Sequence, residues 1–520
     1  MLTLEQKIGQ MLMVGFDGLE PPDYLLEWVA AGRVGGIILF GRNVDTPAQV
    51  AALVGAFHAA AAHPLLIAID QEGGTVARLR AGFTESPGAL ALGVADSEEL
   101  AEAVSAAMAA ELRALGINWN LAPVVDITHN IDNPSVGTRS LGTDAARVSR
   151  LAAAEVRGFQ RGGVAASAKH FPGLANTPVD THVAQAVISG SLDYLWERDL
   201  VPFRAAVEAG TATVMVSHVT FEALDAEHPA TLSPQVIQGL LRDEIGFSGL
   251  ACTDCMEMRA ISDHYTPGES AVLAALAGQD LILFSHRPDR QAAAYDALVA
   301  AARSGRLPEA QIDAAVARVQ AVKERFAITA APDPGQVRQP ERLAVMQDAA
   351  RRGMVTLRLQ PGVLPLRPDD TRRVALIEFA SILESGILES GGVTGLASVV
   401  QEVLPDVERV SLGGGENPPD LLARARALAA GADVLVLATR NAHLMPAQRA
   451  LAQALIDLAP RTILLCLRNP YDADALTGAG TVLCTCGDST PSLQTAVDAL
   501  LGTFVPLGRL PVSVRTGGVA

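Results

Sequence analysis

A (β/α)8 barrel of the TIM type followed by a smaller α/β sandwich domain is the fold this 520-residue sequence predicts. Three observations carry that prediction. Short apolar runs recur along roughly the first 290 residues, separated by helix-length stretches rich in Ala, Leu, Glu and Arg. Most of the runs are apolar without alternation, as strands covered on both faces are. There are eight of them, which suits a closed barrel better than an open sheet.

In chain order the runs are Met11–Phe16, Val34–Phe40, Leu65–Asp70, Asn118–Ile127, Ala165–Phe171, Thr213–Val219, Gly249–Cys255 and Asp280–Ser285. Segments such as Glu98–Leu115 and Ala146–Gln160 read as amphipathic helices between them. Polar residues break the pattern at the C-terminal ends of the runs: Asp70, Asp126, Lys169, His170, His218, Asp254 and His286. A barrel of this type places its active site on that rim. Helix Glu309–Phe326 closes the unit, and the Pro/Gly stretch after Ala330 reads as a linker. A second alternation follows: Arg373–Phe379, Val407–Leu412, Asp433–Thr439, Thr462–Leu467 and Thr481–Thr485, with helices Pro418–Ala430 and Ala447–Leu458. The expected organisation is a barrel over 1–328, a linker over 329–342 and an α/β sandwich over 343–520.

Composition narrows the function. Hydrophobic residues at 49% and charged residues at 19% describe an ordinary globular chain. A net charge of −17 argues against a nucleic-acid or anionic-membrane partner, which needs a basic face. No apolar run approaches the roughly 18 residues of a membrane span. The N-terminus shows no basic segment followed by an apolar one, so no signal peptide is expected. Five cysteines, an odd number, suggest reduced thiols and a cytoplasmic protein. Cys252 and Cys255, and Cys484 and Cys486, lack a second pair of metal-ligand spacing, so neither a metal nor a cofactor is expected. Gly413-Gly414-Gly415 follows a strand, but it is a weak phosphate-loop signal.

Two places carry candidate chemistry. Asp254 ends an apolar strand and can point across the barrel mouth as nucleophile, base, metal ligand or helix cap. Lys169 and His170 end another strand, and the Pro/Gly-containing loop after them holds Asp180 and His182. Two residues apart, those could form a carboxylate-oriented imidazole suited to proton transfer, or an ordinary surface pair.

Taken together, Asp70-Gln-Glu-Gly-Gly, Leu121-Ala-Pro-Val-Val-Asp126, Gly137-Thr-Arg139-Ser, Lys169-His-Phe-Pro-Gly with Asp180-x-His182, and Thr253-Asp254 resemble glycoside hydrolase family 3. Within it they most resemble the bacterial β-N-acetylglucosaminidases (β-N-acetylhexosaminidases). The resemblance spans the barrel, and the second domain resembles the family's α/β sandwich down to Gly508-Arg-Leu-Pro-Val-Ser. It implies a retaining enzyme acting on terminal β-linked N-acetylglucosamine, with Asp254 as nucleophile, His182 as acid/base and Asp180 as its partner. It also implies that Asp70, Arg139, Lys169 and His170 hold sugar hydroxyls. His218 is expected to line the pocket floor. The implied partner is a small carbohydrate, either a cell-wall muropeptide met in peptidoglycan recycling or a chitin-type oligomer. All matched residues precede the linker, so the second domain is expected to be a passenger in the chemistry. The sequence departs from the family loop at Leu174, Ala175 and Asn176, which replace His, Gly and Asp, and at Thr75, where an Arg usually stands. A phosphorylase of the same family, a non-catalytic sugar-binding protein, a Schiff-base aldolase using Lys169 and a metal hydrolase using His170, Asp180 and His182 remain alternatives.

Overall fold

The computed structural model describes residues 2–174, 177, 183–367, 369, 371–380 and 395–515. Eight parallel strands close a barrel: β1 (Leu12–Val14), β2 (Gly36–Leu39), β3 (Leu66–Ile69), β4 (Trp119–Asn120), β5 (Ala165–Phe171), β7 (Thr213–Val216), β9 (Leu250–Cys255) and β10 (Leu281–Phe284). Each pairs with the next in this order, and β10 pairs back onto β1. Two short strands, β6 (Ala186–Ile188) and β8 (Val219–Phe221), form a separate parallel pair.

Each expected run holds one barrel strand. The fourth is much shorter than the run Asn118–Ile127 because Pro123 has no N–H to give the ladder. Pairing resumes beyond it, where Val124 bridges Lys169 and the Val125 N–H donates to the Lys169 carbonyl. That contact brings Asp126 beside His170.

The barrel interior is packed. Met13, Ile38, Leu66, Trp119, Met215, Leu250 and Leu281 meet inside it, and Val319, Val322 and Phe326 of the closing helix join the same cluster. Trp119 keeps its indole N–H satisfied by donating to Thr213 Oγ1 at 3.0 Å. Outside, helices Glu98–Ala114 and Ala145–Arg161 pack on each other. Each begins at a side-chain cap, Ser97 accepting from the Leu100 N–H and Asp144 from the Arg147 N–H.

Among the described residues the second sheet has six strands, in the order β11 (Val355–Arg358), β16 (Thr481–Cys484), β15 (Thr462–Cys466), β14 (Val434–Thr439), β12 (Val374–Phe379), β13 (Glu408–Leu412). All five strands expected there are present. The sequence reading missed β11, an antiparallel edge strand that is buried only at Val355 and so lacks the apolar continuity of its neighbours. Helix Pro340–Arg352 begins within the stretch read as a linker, and it packs on helix Glu98–Ala114 and on helix Thr490–Leu500. Its Met346 and Ala349 join the barrel's main cluster, while Leu90, Ala91 and Val94 of the barrel join the second sheet's core. The two units therefore share apolar surface on both sides of the connection. No helix among the described residues is long and apolar enough to cross a membrane.

Candidate active site

The site is built on the C-terminal rim of the barrel, and β5 supplies its centre. Lys169 is 1% exposed, with Nζ 2.7 Å from Asp70 Oδ1 and 2.6 Å from Glu72 Oε1. Arg139 grips the same Glu72 with two hydrogen bonds, Nε to Oε2 and Nη2 to Oε1, each 2.8 Å. Burial opposes the charge on Glu72, but Arg139 and Lys169 outweigh it and hold the carboxyl well below the usual carboxylate range. Burial likewise opposes the charge on Lys169, and Asp70 and Glu72 raise its pKa instead. Lys169 is thus a fixed cation. That removes the neutral amine a Schiff-base reading would need.

His170 is oriented from both ring nitrogens. Nε2 lies 3.2 Å from Arg139 Nη2, and a guanidinium only donates, so Nε2 is the acceptor. Nδ1 therefore carries the hydrogen and donates to Asp126 Oδ2 at 2.8 Å. Asp126 also accepts the backbone N–H groups of His170 and Leu174. One buried carboxylate thereby fixes the end of β5 and the first turn of the loop that follows.

A cavity opens beside these groups, bordered by Asp70, Arg78, Lys169, His170, Asp254 and Cys255, with Phe40 and His286 at one side. Asp254 comes from the end of β9, and the Cys255 N–H donates to its Oδ1 at 2.7 Å. Residues 3–322 match the N-terminal domain of glycosyl hydrolase family 3. The chain belongs to glycoside hydrolase family 3. Among solved structures, a family 3 β-N-acetylglucosaminidase from Paenibacillus sp. str. FPU-7 is 39% identical. It superposes with a TM-score of 0.92 over 99% of this chain and 100% of that one. Beta-hexosaminidase A of Pseudoalteromonas piscicida is 32% identical over 428 residues, 72% of this chain and 70% of its own length. A beta-hexosaminidase of Stenotrophomonas maltophilia (strain R551-3) is 39% identical over 284 residues, 53% of this chain and 83% of its own. The protein is a glycoside hydrolase with the fold of its family: a barrel and a second sheet domain.

Two residues singled out in the sequence, His218 and Arg139, do not border this cavity. His218, expected against the sugar, is 1% exposed and does not border the cavity. Its Nδ1 meets Thr231 Oγ1 at 2.7 Å and its Nε2 meets the Cys255 carbonyl at 2.9 Å, so it steadies the residue after Asp254. Arg139 also lies behind the cavity, committed to Glu72, His170 and the Ser135 carbonyl. Asp180 and His182 lie outside the described residues, as do Ala175 and Asn176. Leu174 and Thr177, which border them, are buried, and the Asn133 amide donates to both their carbonyls.

Sequence reasoning missed Glu72, and it missed Arg78, Phe40 and Met258, which border the cavity with His286. Glu72 stood in the quoted motif without a role. Its signal was alternation, since residues two apart on an extended chain share a side. Arg78 returns to the rim through the tight turn at Gly73 and Gly74, which have φ of +92° and +58°. There it approaches Asp70 Oδ2 at 3.5 Å and lies over the Phe40 ring. The ring of Phe40 in turn packs on His286, with centroids 5.4 Å apart. Cys255 borders the cavity, but burial pushes its thiol up to about 12, so it stays protonated at neutral pH.

Behind the site, Glu155 is a buried acid whose Oε2 has no hydrogen-bond partner among the described residues. Burial, reinforced by the negative Glu72, pushes its carboxyl from 4.5 up to about 8. An acid whose pKa is higher in the folded chain than in the unfolded one binds its proton more tightly when folded. Its stabilising contribution is complete below about pH 4.5 and is lost as pH rises toward about 8. Glu155→Gln, which keeps the shape and cannot ionise, is expected to flatten the decline of Tm between about pH 5 and about pH 8. Thermal melts across that range check this, and a decline in the Glu155→Gln variant that runs parallel to wild type would refute it.

Proposed function

We propose that the protein is a retaining, exo-acting β-N-acetylglucosaminidase working through a covalent glycosyl-enzyme on Asp254. The observation that carries this is the placing of Asp254 at the cavity, on the end of a barrel strand. Asp70 is bound to Lys169 at 2.7 Å and approached by Arg78, whereas Asp254 faces the cavity from the end of β9 with one oxygen held by a backbone N–H. A carboxylate tied into an ion-pair network is a poor nucleophile. A carboxylate that ends a barrel strand and faces the cavity is placed to attack.

In the first step an Asp254 oxygen forms a bond to the anomeric carbon as the glycosidic C–O bond breaks, and the leaving oxygen takes a proton. In the second, water attacks that carbon, loses a proton and releases the sugar from Asp254. The proton is moved by His182, oriented by Asp180. That assignment rests on the family motif. The beta-hexosaminidase and β-N-acetylglucosaminidase names of the relatives support the sugar. Lys169, Asp70, His170 and Arg78 form the polar wall available to sugar hydroxyls, set in place before substrate arrives.

A panel of p-nitrophenyl glycosides assayed with and without phosphate tests this reading. β-N-acetylglucosaminide is expected to be cleaved faster than β-glucoside, at a rate indifferent to phosphate. Faster β-glucoside cleavage would overturn the sugar, and phosphate-dependent turnover would make the enzyme a phosphorylase. Muropeptides and chitin oligomers, compared as substrates, then separate a cell-wall role from a chitin-processing one.

A further inference from the structure

The site's polar wall is braced from outside the barrel. Arg139 holds Glu72 and His170, and it lies on the turn Gly137–Arg139. Against that turn stands Asn469, which follows β15 in the second domain. A Cβ at Gly137 would lie 2.8 Å from Asn469 Nδ2 and 3.1 Å from its Oδ1, so only glycine admits the amide there. The same residue has φ of +43°, a second reason for glycine.

Asn469 is itself fixed. Its backbone N–H and its Nδ2 both donate to Asn441 Oδ1, at 3.1 and 2.9 Å. Asn441 follows Arg440, whose Nε donates to Asp488 at 3.0 Å, and Arg468, beside Asn469, donates to the same carboxylate at 2.9 Å. All five of these second-domain residues are buried. Asp488 also feels the barrel's Arg80.

The rest of the segment that carries the turn is held in the same way. Tyr471 stands beside Thr128 at its start. At its end, Thr143 donates from its N–H and its Oγ1 to the Pro511 carbonyl, at 3.0 and 3.1 Å. Between these points Ser135 gives its carbonyl to Arg139, and Asn133 holds Leu174 and Thr177. The second domain thus grips this rim segment at both ends and at the turn.

We propose that Asn469 is a positioning residue for the barrel's active site, its amide wedging the Gly137–Arg139 turn so that Arg139 meets Glu72 and His170. The second domain is then part of the machinery rather than a passenger. This rests on glycoside cleavage at the described site and not on which sugar is cleaved.

The test uses the full-length chain and whichever p-nitrophenyl glycoside the wild type turns over fastest. Failure of the sugar assignment therefore leaves it intact. Asn469→Ala, assayed well below its Tm and shown to be folded by circular dichroism, is expected to lose roughly tenfold in kcat/KM, since sub-ångström misplacement of site groups has effects of that order. Asn469→Asp keeps the volume against Gly137 but sets an acceptor opposite Asn441 Oδ1, which the residue 469 N–H holds in place, so it is expected to recover only part of the loss. Asn417→Ala removes a side chain that caps a second-domain turn at Gly413, and it is expected to leave kcat/KM unchanged. If Asn469 acts through Arg139, adding Asn469→Ala to Arg139→Lys should cost less than it does in the wild type. Wild-type kcat/KM in Asn469→Ala, an equal loss in Asn417→Ala, or strict additivity with Arg139→Lys would each overturn the proposal.

Discussion

Replacing Asp254 with asparagine is expected to lower kcat by roughly 10³-fold or more, because it removes the group that forms the bond to the anomeric carbon. No neighbour can take over. Asp70, the other described carboxylate at the cavity, is bound to Lys169 and approached by Arg78. Using it as a nucleophile would break its 2.7 Å ion pair with Lys169. The substitution should not disturb the fold, since an asparagine Oδ1 can accept the same Cys255 N–H that Asp254 accepts at 2.7 Å. Loss of turnover with an unchanged melting curve is therefore the expected pair of results. A fluorinated glycosyl donor, which slows release of the intermediate, should label Asp254 in the wild type and nothing in the variant. Near-normal turnover in Asp254→Asn, or a label on another residue, would falsify the assignment.

The barrel was legible because its strands are covered on both faces, so hydrophobicity alone marks them. β11 was not, because an edge strand buried at one residue reads as loop. The shortening of β4 at Pro123 was visible in principle, as a proline inside a run. In the site, the residues that end strands were found, since a charge after an apolar run stands out. Residues that reach the rim by other routes were not. Arg78 returns through a glycine turn, and Glu72 matters through Lys169 and Arg139, which are 97 and 67 positions away in sequence by subtraction of residue numbers. Local pattern carries no trace of such pairings. His218 shows the converse limit. It ends a strand as the active residues do, yet both its nitrogens serve Thr231 and Cys255, and nothing at sequence level separates a ring turned toward substrate from one turned toward backbone.

The dependence of rate on leaving group gives the most demanding test of proton transfer. If His182 donates the proton, its importance must follow how badly the departing oxygen needs one. A p-nitrophenolate leaves with little help, and a sugar alkoxide does not. In His182→Ala, hydrolysis of a natural disaccharide is expected to fall by the roughly 10²–10⁴-fold that general acid catalysis supplies. The aryl glycoside should lose far less in its first step. The second step still lacks its base, so glycosyl-enzyme should accumulate on Asp254 and give a burst of p-nitrophenol. Azide needs no deprotonation to attack, and adding it should restore part of the turnover. Asp180→Asn should show a weaker form of the same pattern, since it orients the imidazole without transferring the proton. His170 cannot substitute as the acid. Its Nδ1–H is committed to Asp126 at 2.8 Å, and its Nε2 faces the Arg139 guanidinium at 3.2 Å, where it can only accept. Equal losses on both substrates, with no burst and no azide rescue, would show that His182 only binds and would leave the family motif without its acid.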